Sequence, residues 1–212
     1  MEALSSRSAT QAPYNSHPTR PTTRAHTPMQ WLNEPPVWQA DKGRLRVVTG
    51  PKTDFWRVTH YGFIRDNGHF YHERRAGDFT IQAKIEARYE ALYDQAGIMV
   101  RVDAANWIKA GVEYTDGLPH FSVVVTRDFS DWSVLPAESA GPVWLRLTKA
   151  GSAIRIQYSI DGLSFPMLRL AYFPEASLTQ VGLMCCSPER EGLEVEFSSF
   201  HIGEPVSSAL HE

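Results

Sequence analysis

The chain has 212 residues, of which 42% are apolar and 21% charged, with a formal net charge of −3. This balance suits one globular domain and excludes a surface that holds nucleic acid, or an anionic membrane, through bulk positive charge. Its two cysteines, Cys185 and Cys186, are adjacent, which excludes a disulfide framework and a cysteine-based zinc site.

Residues 1–28 are rich in Ser, Thr, Pro and Arg, with Glu2 as their one acidic residue. Such a segment cannot bury enough apolar surface to offset its ordering entropy, so it reads as a disordered tail. It lacks the apolar stretch of a secretory signal, and no later run is long enough to span a bilayer. With free thiols, the expected location is cytoplasmic. The folded part is expected over residues 29–205, with 206–212 as a frayed end.

From Trp31 onward the chain is a series of short apolar runs separated by turn residues. LRVVTG and FWRVTHYGF come first, then Asp66-Asn67-Gly68, a tight-hairpin signal because Asn-Gly accepts the positive φ angles of a type I′ turn. FTIQAKIEARYE alternates, with Phe79, Ile81, Ala83 and Ile85 on one face and Thr80, Gln82, Lys84 and Glu86 on the other. QAGIMVRVD, WIKAGVEY and HFSVVVT follow, and FSDWS reads as a loop after them. VWLRLTKAG and AIRIQYSIDG precede a second hairpin signal at Asp161-Gly162, and a short helical turn is expected near Pro174–Leu178. VGLMCCS and LEVEFSSFHI close the series. About ten to thirteen strands with almost no helix point to an all-β, antiparallel sandwich or barrel.

Alternation then assigns faces, because residues i and i+2 of a strand point the same way. Ile108, Ala110 and Val112 claim the core, which sends Trp107, Lys109, Gly111 and Glu113 to the other side. The neighbouring runs add Gln95, Gly97, Met99 and Arg101, and His120, Ser122, Val124 and Thr126. FSDWS contributes Asp131 and Trp132. Flat aromatic rings set among amide, ammonium and carboxylate groups suit a sugar or a similar small polar ligand. The sugar's apolar face stacks on indole and its hydroxyls pair with the polar groups. The glycines look like room for that ligand.

TDFWR (53–57), YDQAGIMVR (93–101), WIKAGVEY (107–114), SVVVTRDFSDWS (122–133), YSIDG (158–162) and VGLMCCSP (181–188) occur in this order. Together they resemble the family catalogued as domain of unknown function 1349, also called the regulation-of-enolase family. The resemblance covers residues 29–203. It implies a two-sheet antiparallel jelly-roll sandwich, concanavalin A-like, with one concave sheet. It adds Asp54 and Trp56 to the residues expected on that side, and its name points to a metabolic-enzyme partner. Activity does not follow from fold.

Glycoside hydrolysis needs two carboxyl groups flanking one bond. Glu113 is the best acid/base candidate, with Asp94 or Asp131 as partner. Gly111 stands where a same-strand acidic pair would place its second member, which favours binding over hydrolysis. The eight histidines are scattered without metal-ligand spacing, and no phosphate loop, dinucleotide fingerprint or nucleophile elbow appears. No metal and no cofactor are expected. Three functions remain open: a sugar-recognising domain, an enzyme acting on a sugar through Glu113, and a protein-interaction module that regulates a metabolic enzyme.

Overall fold

The alternation seen in FTIQAKIEA becomes a nine-residue strand whose Phe79, Ile81, Ala83 and Ile85 are all buried. The computed structural model describes residues 28–137 and 141–206. Of the expected tails, residues 1–28 and 206–212, all but Pro28 and Val206 lie outside the described residues. In chain order the strands are β1 (Gln30–Leu32), β2 (Val37–Asp41), β3 (Arg44–Val48), β4 (Phe55–Arg57), β5 (Ile64–Asp66) and β6 (His69–Arg75). Next come β7 (Phe79–Ala87), β8 (Gln95–Asp103), β9 (Asn106–Thr115), β10 (Leu118–Arg127) and β11 (Phe129–Pro136). The last are β12 (Val143–Ala150), β13 (Ala153–Ser159), β14 (Met167–Tyr172), β15 (Thr179–Cys186) and β16 (Glu194–Gly203).

Two seven-stranded antiparallel sheets form a sandwich. The front sheet runs β1-β6-β15-β8-β9-β10-β11 and the back sheet β14-β13-β12-β7-β16-β3-β2. The main core lies between them. Ala96, Ile98, Ile108, Ala110 and Val123 of the front sheet meet Ile81, Ala83, Leu145, Leu147 and Ile156 of the back sheet. Burial of apolar area at roughly 25 cal/mol per Å² is what holds such sheets together.

A second, smaller core sits on the outer face of the front sheet. There β4 and β5 form a two-stranded hairpin, and Phe55 and Trp56 press onto Phe70, Met99, Trp107, Val124, Met184 and Cys186. The adjacent cysteines therefore part company, Cys185 in the main core and Cys186 under the hairpin.

Several expectations need correcting. Asp66-Asn67-Gly68 does not close a type I′ hairpin. Neither Asn67 nor Gly68 has a positive φ, and both amides donate to Asp54 O, at 3.1 and 2.9 Å. The Asn67 side chain returns the bond by accepting from Asp54 N at 3.0 Å. The segment is thus a tie from the small hairpin back to the sheet. Asp161-Gly162 does sit in a β13–β14 hairpin loop, with Gly162 at φ 75°. FSDWS is not a loop: Asp128, at φ 60°, turns the chain directly into β11, which pairs with β10 along its length. No helical turn forms at 174–178.

Candidate functional site

The outer face of β8, β9 and β10 carries the expected row of polar groups, but most of it is roofed by the hairpin. What the roof leaves open is a cavity of about 130 Å³. Its floor is Gln95, Lys109, Glu113 and Val124, and the hairpin supplies Asp54, Trp56, Tyr61, Phe63 and Arg65. Trp132 of β11 and Tyr93, just before β8, complete the wall, with Pro188 and Glu189 beside them.

The polar floor is ordered by a few bonds. Lys109 Nζ is 3.2 Å from Asp54 Oδ1, and both side chains are almost fully buried. Phe55 N also donates to that oxygen, at 2.8 Å. Glu113 is buried and has no ion pair among the described residues. Its Oε2 accepts from Ser122 Oγ at 2.5 Å and from Trp132 Nε1 at 3.0 Å. Oε1 has no hydrogen-bond partner among the described residues. Gln95 donates through Nε2 to Tyr93 O at 3.2 Å, which turns its carbonyl oxygen the other way. Burial raises the Glu113 pKa, against the opposing pull of Lys109 and Ser122. Burial works to lower that of Lys109, but Asp54 and the other negative neighbours outweigh it and the net shift is upward.

The walls are aromatic. Trp56 and Tyr61 meet edge-on with centroids 5.6 Å apart, and Tyr61 stacks on Phe63 at 5.3 Å. Tyr93 meets Trp132 edge-on at 6.3 Å. The Tyr61 and Tyr93 hydroxyls are 2.7 Å apart and join the two sides; that bond, with burial, pushes the Tyr93 pKa up to about 12. The hairpin tip is unusual in backbone as well. Val58 and His60 have φ of 62° and 64°, a region that β-branched residues rarely enter. Backbone outliers of this kind collect at ligand clamps.

Of the residues expected from sequence, the structure brings Asp54, Trp56, Gln95, Lys109, Glu113 and Trp132 together around the cavity. The others stand elsewhere, each for a physical reason. Trp107 shares the strand face but is 1% exposed, packed 6.1 Å from Phe55 with its indole donating to Ala104 O. It is core, not a stacking platform. Arg101 grips Asp66 through two bonds of 2.6 and 2.8 Å and pins the hairpin. Asp94 is wholly buried. It accepts from the Glu90 and Ala91 amides and from Arg190, whose Nη2 lies 2.6 Å away, so it locks two loops together and offers nothing to a ligand. His120 is opposite Glu113 in register but is buried, with Nδ1 donating to Leu118 O at 3.0 Å. Asp131 follows the opposite alternation from Trp132 on β11 and is exposed. The glycines do not make room either. A Cβ on Gly97 would lie 2.0 Å from Ala110 O, and one on Gly111 2.3 Å from Ala96 O, so they permit close approach of β8 and β9.

Tyr61, Phe63, Arg65, Tyr93 and Glu189 line the cavity without having been expected from sequence. The density of aromatic residues in FWRVTHYGF is the available signal for the first two. Among the described residues, no group of three or more His, Cys, Asp or Glu is placed to hold a metal ion, and no helix is long and apolar enough to cross a membrane. A larger groove of about 630 Å³ runs beside Trp38 and Val195 on the back sheet. Its Arg46 and Arg88 pair with Glu196 and Glu194, so its charges satisfy one another.

The fold and sequence have known relatives. A yeast protein from Saccharomyces cerevisiae, named regulation of enolase protein 1, is 45% identical over 183 residues, covering 86% of this chain and 92% of the relative. A solved structure of a functionally unknown S. cerevisiae protein superposes with a TM-score of 0.82 at 44% identity, covering 84% of this chain and 97% of that one. More distant structures share the sandwich alone. One is a GH43 protein from Bacillus licheniformis (TM-score 0.66, 18% identity), where the match covers 83% of this chain and 36% of that one. Another is a legume lectin-like domain from Entamoeba histolytica (TM-score 0.54, 10% identity), covering 83% and 89%. The model of the protein family of unknown function DUF1349 matches residues 31–205, and the chain belongs to that family.

Proposed function

We propose that the domain binds a small polyhydroxylated molecule, a sugar or sugar derivative, in the cavity between the front sheet and the β4–β5 hairpin. One observation carries this reading. Buried polar groups with unused capacity (Glu113 Oε1, the Gln95 carbonyl and the Lys109 ammonium) face a space walled by Trp56, Tyr61, Tyr93 and Trp132. Aromatic walls take the C–H face of a sugar ring and the floor takes its hydroxyls. The volume, about 130 Å³, is well below the roughly 300–1,000 Å³ of sites for drug-sized ligands, so the ligand is one ring or less. The sugar-related names of the distant GH43 and lectin-like neighbours support the same direction at the level of fold.

Calorimetric titration with a panel of monosaccharides and polyols tests it. A ligand from the panel should bind, and Glu113→Gln should weaken it by about 1.5–3 kcal/mol, the usual worth of a hydrogen bond to a charged group. Unchanged affinity in a folded Glu113→Gln variant contradicts the site.

Glu113 also favours a second reading, an enzyme acting on a sugar. A buried carboxyl with a raised pKa suits a general acid, and Asp54 and Glu189, not Asp94, are the carboxylates that share its cavity. In that case Glu113→Gln abolishes turnover of a bound ligand and spares much of its affinity. The name of the yeast relative supports a third reading, docking to a metabolic enzyme. A panel without hits, together with co-purification of such an enzyme, would favour that one.

A further inference from the structure

We propose that the cavity selects a protonated amino sugar over the neutral parent sugar, with the ammonium seated against Glu113 and faced by the surrounding aromatic rings. The inference rests on the sugar-binding reading above and specifies its charge.

Charge complementarity inside a half-enclosed cavity favours such a ligand. Two cations and three carboxylates line the cavity. Lys109 is matched by Asp54 at 3.2 Å. The guanidinium of Arg65 lies over the Phe63 ring, 4.6 Å from its centroid. Among the described residues the hydrogen-bond donors to Glu113 are neutral, Ser122 Oγ and Trp132 Nε1, both on the same oxygen, and Lys109 acts on it only through space. A carboxylate 6% exposed without a cation in contact is costly to keep ionised, since burial disfavours the charged form. A ligand that brings its own positive charge to Oε1 removes that cost. Its bond is charge-assisted, roughly twice as strong as a neutral one.

Aromatic rings add to this. Trp56, Tyr61 and Tyr93 line the same small space as Glu113, and an aromatic face attracts a desolvated cation. Glu113 Oε1 and the Gln95 carbonyl are free acceptors on the floor, which suits a ligand that brings N–H and O–H donors. Exposed Glu189 beside the cavity adds negative potential.

Three matched pairs provide the test: glucosamine with glucose, galactosamine with galactose, and mannosamine with mannose. Each is titrated into the wild-type chain and into Glu113→Gln at mildly acidic pH, where the amines are protonated. The amine of at least one pair should bind at least about tenfold more tightly than its parent, a difference of about 1.4 kcal/mol. Glu113→Gln should erase that preference. If the neutral parents bind as well as their amines, the charge selection is wrong and the sugar site stands. If no member of any pair binds, both fail. The wild-type comparison needs no variant, so a poorly folding Glu113→Gln protein leaves the test intact. N-acetylglucosamine, which keeps the nitrogen without its charge, should lose the preference; equal binding of the acetylated and free amines overturns the proposal.

Discussion

Trp107 and Trp132 show how much depends on what covers a side chain. Both lie on the outer face of the front sheet, yet Trp107 is 1% exposed and Trp132 39%. Truncating Trp107 should behave as a core mutation. Trp107→Ala is expected to lower unfolding free energy by about 3–5 kcal/mol, measured by urea denaturation. Trp132→Phe keeps a ring but removes the indole bond to Glu113. It should cost stability by less than about 1 kcal/mol and weaken ligand measurably. Alternation correctly places Lys109, Glu113 and Gln95 on the outer face. It cannot separate Trp107 from Trp132, because the roof comes from residues 54–65, distant in sequence from both. The thiols follow the same logic. Cys185 and Cys186 are each at most 1% exposed, and burial pushes both pKa values up, so the reactive thiolate is scarce. A thiol reagent should label neither in the folded chain at an appreciable rate and both after unfolding; fast labelling of native protein would contradict this.

The β4–β5 hairpin is the element on which the site depends, and its two strands are only three residues each. So short a pair is marginal alone and needs anchors. Arg101 holds Asp66, and Asn33 Nδ2 donates to Asp66 O and Gly68 O at 2.9 Å each. Asp66→Ala leaves the Arg101 guanidinium without this carboxylate, with its side chain 7% exposed. It should cost about 1.5–3 kcal/mol and speed amide exchange across residues 55–66. Three-residue strands carry no readable alternation, which is why Asp-Asn-Gly reads in sequence as an ordinary hairpin turn. Behind the hairpin, His69 is set between Gly50 N at 3.0 Å and Asn33 O at 2.7 Å. Burial lowers its pKa below the ordinary 6.5, despite the opposing effect of the Asn33 bond. The unfolded chain therefore takes up a proton that the folded one resists. Stability from this residue is full above the unfolded value and falls as pH drops through it. Urea midpoints should decline from about pH 7.5 to about pH 5.5, less steeply in His69→Asn. A midpoint that rises on acidification would contradict the neutral assignment.

Across the two sheets together, the sandwich is legible in sequence because long strands such as β7, β9 and β10 advertise one buried face each. The cavity is only half legible. Its floor belongs to those strands, while its walls come from the hairpin tip, from Tyr93 and from the Pro188–Glu189 turn, where no periodicity exists to be read. The proposed function requires that this cavity, rather than the open groove at Trp38, receive a small polyhydroxylated ligand. The six tryptophans report on it, since each gives its own indole N–H signal in a nitrogen–proton correlation spectrum. Trp56 and Trp132 line the cavity, Trp107 is sealed beneath the hairpin, and Trp31, Trp38 and Trp144 lie away from it. Titrating the sugar panel should shift the Trp56 and Trp132 indole signals in a saturable way and leave those of Trp31, Trp38 and Trp144 in place. Saturable shifts confined to Trp38 or Trp144, or no shift in any signal with every sugar tested, would contradict binding at this cavity.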